Sequence, residues 1–433
     1  MARRITRLIL FIAFFFIFAA VLAFFLKDDS NSYARVLRHE FYRQQNIDYL
    51  FCGASHTSHG INPRIADFSF NKNVFNAGTP AQQIDGTVAV LKQAVKLYSI
   101  EKVFMEMDFG IITSYGIKER PGHTADYIVL DFLRDPLIKL DYMLKMTVPA
   151  YYLNSLLPIG KDKLMDLDPK KVSAKIKSVI TGRYFKYEFG DEKSSYAGKG
   201  CVLDSESISD GSFSSDSFEE PIGPQNIHPD IISCLNQIVE ICRKNNIELI
   251  FYSMPYSDFY LNEKGDYDQY LNFCRNFAAQ NGCPYYDFNL CREKYFSLCD
   301  HDFSDDNHLN QSGIEKYTEI FCSFFTGKIP EDELFYASYA DKMASISERI
   351  FGLVLITSQD QKSLTVYPVT NCRDKSRITY DFYAVSDGKL NPLALNTSST
   401  TVGFPGAGFG MLKIIARLDG QITNAVSRAY FSY

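Results

Sequence analysis

The feature that most limits how this chain can fold is an unbroken apolar run of 19 residues, LILFIAFFFIFAAVLAFFL, from Leu8 to Leu26. As a helix it would span roughly 28 Å, the thickness of a bilayer's hydrocarbon core. Arg3, Arg4 and Arg7 precede it, and Lys27, Asp28 and Asp29 follow. The positive-inside bias therefore predicts a cytoplasmic tail at 1–7, a single transmembrane anchor at 8–26 and an extracytoplasmic chain from 27 onward. A cleaved signal peptide is the competing reading. The run exceeds the roughly 7–15 apolar residues of such a leader. It also closes on Phe24, Phe25 and Leu26, where a leader would carry small residues. A soluble core helix normally keeps a polar face, which this segment lacks.

The remainder of the 433 residues is ordinary globular sequence, 46% hydrophobic and 22% charged, with ample material for more than one core. The net charge of −6 offers no cationic surplus to neutralise a phosphate backbone, so nucleic acid is not an expected partner. The ten cysteines include no CxxC pair, which disfavours zinc ribbons and thioredoxin-like sites. Cys283 and Cys291 are close enough in sequence to close a loop. Buried free thiols acting as small hydrophobes fit equally well.

Short apolar strands alternate with helices after the anchor. IDYLFCG (47–53), EKVFMEMDF (101–109), IELIFYSMP (247–255) and CPYYDF (283–288) read as strands. Helices are expected from the Thr79-Pro80 start to about Leu97, and over 231–246, 265–281 and 312–326. This alternation predicts an α/β domain over 27–328, a three-layer, flavodoxin-like parallel sheet. The alternation lapses between about 110 and 228. That insert holds helical stretches (124–146 and 168–181) and a Ser-, Asp-, Glu- and Gly-rich tract (191–220) expected as a solvated surface loop. A helical linker follows at 329–348. The β-branched and aromatic runs of 349–433 predict a small antiparallel β-sandwich. Within ITYDFYAV, strand alternation turns some of Tyr380, Phe382 and Tyr383 into a core, leaving others as a glycan-facing surface.

Three segments carry candidate chemistry. Gly53-Ala54-Ser55-His56 puts a hydroxyl on a tight turn at the carboxyl end of the first strand, where open α/β sheets bind ligands. Asn76-Ala77-Gly78 supplies a glycine whose N–H can face an oxyanion. Asp305-Asp306-Asn307-His308 spaces a carboxylate three residues before an imidazole it can orient for proton transfer. Each alone has a plain structural reading: a helix-capping serine, a turn glycine, an acidic loop with a surface histidine.

Together, in this order and strand context, they resemble the SGNH (GDSL-like) hydrolase and acyltransferase superfamily. The resemblance covers roughly 46–327, apart from the insert. It implies Ser55 as nucleophile, His308 as general base and Asp305 as the acid that fixes the imidazole. It also implies Gly78 and Ser55 N–H groups as oxyanion donors. Asn76 is expected at the substrate site, and His56 is expected either to line the pocket or to pack beside the nucleophile. The sequence departs from the family at the third block, where an asparagine donor is expected and VFMEMDFG offers Glu106 and Asp108. Losing one donor costs about 10²–10³ in rate.

GASHTSHGINP, placed after an N-terminal anchor, resembles the membrane-anchored extracytoplasmic branch of the superfamily. Cell-envelope polysaccharide O-acetyltransferase partners and the D-alanine transfer protein of teichoic acid synthesis belong there. The resemblance implies a cell-membrane protein that transfers or hydrolyses O-acyl esters on an envelope glycan or polymer, served by a membrane acyl-transfer protein. The alternative is a catalytically degenerate scaffold or glycan-binding module. His56, His59, Asp305 and His308 invite a metal reading, but they match no established ligand spacing. No metal or other cofactor is expected.

Overall fold

The computed structural model describes residues 2–217 and 227–432, so the end of the acidic tract, from 218, lies outside the described residues. The chain forms two compact units. The first comprises Met1–Asp204, Gln225–Met254 and Phe277–Tyr286; the second comprises Ser205–Pro224, Pro255–Asn276 and Asp287–Tyr433.

In the first unit, helix α1 (Ala2–Leu26) is long and apolar enough to cross a membrane. Leu10, Phe14 and Ile17 stand exposed along it, whereas Ala19 and Ala23 near its end are buried. Helix α2 (Tyr33–Phe41) follows, and then a sheet built from β1 (Tyr49–Cys52), β2 (Val74–Asn76), β3 (Lys102–Glu106), β4 (Glu248–Ser253) and β5 (Tyr285–Asp287). Its order is β2-β1-β3-β4-β5, and the first three of these pairings are parallel. Leu50, Phe51, Val74, Phe75, Val103, Phe104, Ile250 and Phe251 are all buried. That is why the strands read as continuous apolar runs: helices cover both faces of a parallel sheet. Among the flanking helices are α3 (Ser55–Ser58), α4 (Ile84–Leu97), α5 (Pro136–Met146), α6 (Pro169–Ile180) and α7 (Pro229–Lys244). The expected flavodoxin-like α/β architecture is present. Its strand order reverses at β1, leaving a crevice at the carboxyl ends of β1 and β3.

Local chemistry moves several boundaries. Thr79 does not cap a helix. Ala81 adopts a left-handed backbone (φ 49°), Thr79 Oγ1 donates to Gln82 Oε1 at 2.8 Å, and α4 starts only after Gln83. The single stretch expected over 124–146 breaks into Thr124–Phe132 and α5, because a residue preceding Pro136 is pushed out of helical geometry. The start of the acidic tract is ordered rather than a solvated loop. Ser194–Gly198 and Cys201–Asp204 form an antiparallel hairpin with Cys201 and Val202 buried. Its turn uses positive φ at Gly198, Lys199 and Gly200, and the Asn76 N–H donates to Lys199 O at 2.9 Å.

The second unit contains helix α8 (Gln311–Phe325), short helices Glu331–Leu334 and Tyr339–Ser345, and two four-stranded sheets. One sheet is built around Ile350–Thr357 and Ser363–Thr370, the other around Ile378–Ser386 and Gly408–Leu418. Leu353, Leu364 and Val366 from the first sheet share a core with Tyr380, Phe382, Leu412 and Ile414 from the second, the expected sandwich. Ser214–Ser215, from the acidic tract, adds a short parallel edge strand to the first sheet. Tyr380 and Phe382 are core residues and therefore face no glycan; Tyr383 is half-buried. All ten cysteines are free thiols, Cys283 and Cys291 included.

Candidate functional site

The serine turn is held by what surrounds Gly53. A Cβ there would collide with Thr57 Oγ1 and lie 2.7 Å from Glu106 Oε2, so only glycine lets β1 end this close to β3. The chain then enters α3, with Ser55 half-buried at its start and His56, Thr57 and Ser58 buried behind it. Ser55 O accepts hydrogen bonds from the His59 backbone at 2.9 Å and from His59 Nδ1 at 2.8 Å, which locks the turn. His59 Nε2 reaches Asp204 at 3.5 Å.

Glu106, at the end of β3, is fully enclosed. One oxygen meets His56 Nδ1 and the other accepts from Thr57 Oγ1. Asp108 caps the next turn through Ile111 N at 3.0 Å and comes within 3.8 Å of His56 Nδ1. The third-block carboxylate is thus spent on the two residues after the serine. His56, expected either to line the pocket or to pack beside Ser55, is buried against Glu106. Burial, with the Glu106 charge second, pushes the neighbouring Tyr252 phenol well up. His56, Glu106 and Asp108 offer ligand atoms within 4.8 Å of one another, the one such grouping among the described residues. His59 turns to other partners and is not part of it.

Asn76 and Gly78 are hydrogen-bonded to each other. The Gly78 N–H donates to Asn76 Oδ1 at 3.1 Å, so this amide is engaged inside the loop rather than offered to an oxyanion. Asn76 Nδ2 donates to Thr57 O at 2.6 Å and to Ile61 O at 3.3 Å, stapling the loop after β2 to the serine turn. A Cβ on Gly78 would strike Ala54 O, which explains glycine there by close approach alone.

The second unit carries Asp305 and His308 as a hydrogen-bonded pair. Asp305 Oδ2 lies 2.8 Å from His308 Nδ1, while Oδ1 accepts from the backbone N–H of His308 at 2.6 Å and of Asn307 at 3.0 Å. Burial raises the Asp305 carboxyl, but the hydrogen bonds and charge of His308 outweigh it and hold the group down at about 2. An ionised Asp305 keeps the imidazole proton on Nδ1 and the basic lone pair on Nε2. Below the pair, Ser304 N donates to His308 O at 2.9 Å. Asn310 caps α8 through Gly313 N at 3.2 Å and ties the loop to His301 O at 2.6 Å.

The sequence missed the Glu106–His56–Thr57 clamp. Its only trace there is a carboxylate ending an otherwise apolar strand, beside a glycine.

No family model matches the chain, and no curated protein matches it. Among solved structures, one similar chain is described only as an inferred acylhydrolase from Bacteroides fragilis NCTC 9343. It shares 10% identity, covers 70% of this chain and 99% of its own, and aligns with a TM-score of 0.31.

Proposed function

We propose that the protein is a membrane-anchored, extracytoplasmic serine enzyme that transfers or hydrolyses O-acyl esters on a cell-envelope glycan or polymer. The observation that carries this reading is the Asp305–His308 pair, whose bond to Nδ1 and depressed carboxyl prepare Nε2 as a base. In the proposed reaction, Ser55 Oγ attacks the acyl carbonyl and its proton passes to His308 Nε2. The ester C–O bond breaks, and the leaving oxygen takes that proton. Water, or a sugar hydroxyl of the acceptor, then gives a proton to His308 and attacks the acyl-serine, releasing Ser55. An acyl-transfer partner in the membrane would supply the donor. Helix α1 supports the anchorage, and resistance of the full-length chain to alkaline carbonate extraction tests it.

A second reading has its own support. The third-block position holds Glu106, which is spent on His56 and Thr57, in place of a donor asparagine, and the Gly78 amide is engaged by Asn76, so one expected oxyanion donor is missing and another is occupied. A scaffold or glycan-binding protein would need neither donor. Turnover of a chromogenic acetyl ester by the full-length chain in detergent separates the two. Turnover lost in both Ser55→Ala and His308→Ala supports the enzyme. A folded wild type with no turnover and no fluorophosphonate labelling favours the binding module.

A further inference from the structure

A cavity of about 320 Å³ lies at the foot of α1 in the first unit. Ala23, Phe24 and Lys27, the last turn of the apolar helix and its first charged successor, form part of its wall. The position is fixed by backbone pairing: Asp28 N donates to Leu164 O at 3.0 Å, and Asp166 N to Leu26 O at 2.8 Å.

Five cations line this cavity, Lys27, Arg35, Arg38, Lys139 and Lys163, against two carboxylates, Asp29 and Asp131. Both carboxylates are already committed. Asp131 pairs with Lys27, and Asp29 pairs with Lys175 at 2.6 Å and accepts from the Tyr184 hydroxyl. Arg35 is buried and spends its donors on carbonyls, Asp29 O at 2.9 Å and Tyr184 O at 3.0 Å, while Arg38 donates to Asp131 O at 2.8 Å. Lys163 sits over the Tyr127 ring at 3.6 Å, and among the described residues neither it nor Lys139 ends in an ion pair. Burial lowers the Lys163 ammonium to about 8, with Lys27 and Lys139 adding to the fall and Asp131 opposing it. The site therefore holds cations without matching anions, in a place that disfavours them.

Beside the hydroxyls of Ser32, Thr79, Thr124 and Ser155, the wall has an apolar side. Phe24, Leu157, Leu164 and Met165 line it, with Leu156 57% exposed at its edge. Leu137, Leu140 and Leu144 form an exposed stripe along α5, and Leu153 is exposed beside Leu156. Cations at the end of a membrane-length helix, joined to an apolar side, match an amphiphile carrying a phosphate.

We propose that this cavity binds the phosphate headgroup of a membrane lipid, with Lys139 and Lys163 on the phosphate and the lipid chain running past Phe24 and Leu156. The inference rests on the anchorage proposed above and is independent of the chemistry at Ser55.

Isothermal titration of the full-length chain in dodecyl maltoside tests it with three probes: dihexanoyl phosphatidic acid, inorganic phosphate and dihexanoylglycerol. The expected result is saturable one-to-one binding of the phosphatidic acid alone. It should weaken at least tenfold in Lys139→Gln/Lys163→Gln and persist in Lys139→Arg/Lys163→Arg. Lys72→Gln, which removes an exposed partner of Glu101, should leave it unchanged. Equal affinity for wild type and the double glutamine variant would overturn the proposal, as would inorganic phosphate or the uncharged glycerolipid binding as tightly. Absence of saturable binding would do the same. Micelle binding needs no bilayer anchorage, so failure here and failure of carbonate resistance are separate results.

Discussion

His56 meets Glu106 with side chains 3% and 0% exposed, whereas His308 meets Asp305 with side chains 25% and 53% exposed. Both imidazoles present Nδ1 to a carboxylate. The sealed pair has Thr57 on its second carboxylate oxygen and a glycine where any Cβ would intrude, so it ties the serine turn to the end of β3. The open pair is held by two backbone amides on one carboxylate oxygen and keeps its imidazole within reach of solvent. A proton must leave and return during acyl transfer, which an enclosed pair resists and a half-exposed pair permits. Under the proposed reaction the same two side-chain types divide into a fastening and a base, with burial deciding which is which.

Substitutions that separate these roles should differ sharply. If the proposed reaction holds, the largest effect is expected at His308 and at Ser55. Ser55→Ala or His308→Ala should lower ester turnover by about 10⁴-fold while leaving the thermal midpoint close to wild type. Next comes the sealed pair. Glu106→Ala leaves a buried imidazole and a buried hydroxyl without their partner and should cost about 3–5 kcal/mol, read as a large fall in thermal midpoint in micelles. Asp305→Ala, by contrast, should cost no more than about 1 kcal/mol, because a half-exposed pair is screened. Gly53→Ala should destabilise by about 1–3 kcal/mol by forcing a methyl into Thr57 and Glu106.

The smallest effect is a pH dependence. Asp305 is held at about 2, below its ordinary value of 3.8, so its contribution to stability is fully present above about pH 4. That contribution is lost as pH falls through 2. The stability gap between wild type and Asp305→Asn should therefore be flat at neutral pH and close between pH 4 and pH 2. A gap that instead opened on acidification would contradict the assignment of an ionised, hydrogen-bonded Asp305.

How far the sequence carries this comparison depends on the range of the interactions. The apolar strands, the helices between them and the Asp305–His308 spacing are local patterns, and they are legible because period and offset alone define them. The sealed pair joins residues fifty positions apart. Its existence follows from parallel register, Cys52 opposite Met105, which places Glu106 beside Gly53. No local pattern encodes that. The same reason hides the engagement of Gly78 by Asn76: glycine after a strand suggests an oxyanion donor until a side chain two residues away is seen to occupy its amide. The acidic tract misleads for another cause. Its composition predicts solvation, but the short apolar run Cys201-Val202-Leu203 inside it is enough to order a hairpin whose Lys199 carbonyl accepts the Asn76 amide.

The most direct test of the division between the two histidines is the rate at which a fluorophosphonate labels Ser55, mapped by peptide mass spectrometry. Wild type, His308→Gln and His56→Gln would be compared, each at a temperature where it is folded. The account predicts labelling of Ser55 in wild type, its near-complete loss in His308→Gln with the thermal midpoint kept, and retained labelling with a lowered midpoint in His56→Gln. Labelling of Ser55 at the wild-type rate in His308→Gln, or its loss in a fully folded His56→Gln, would contradict the assignment of the open pair as the base.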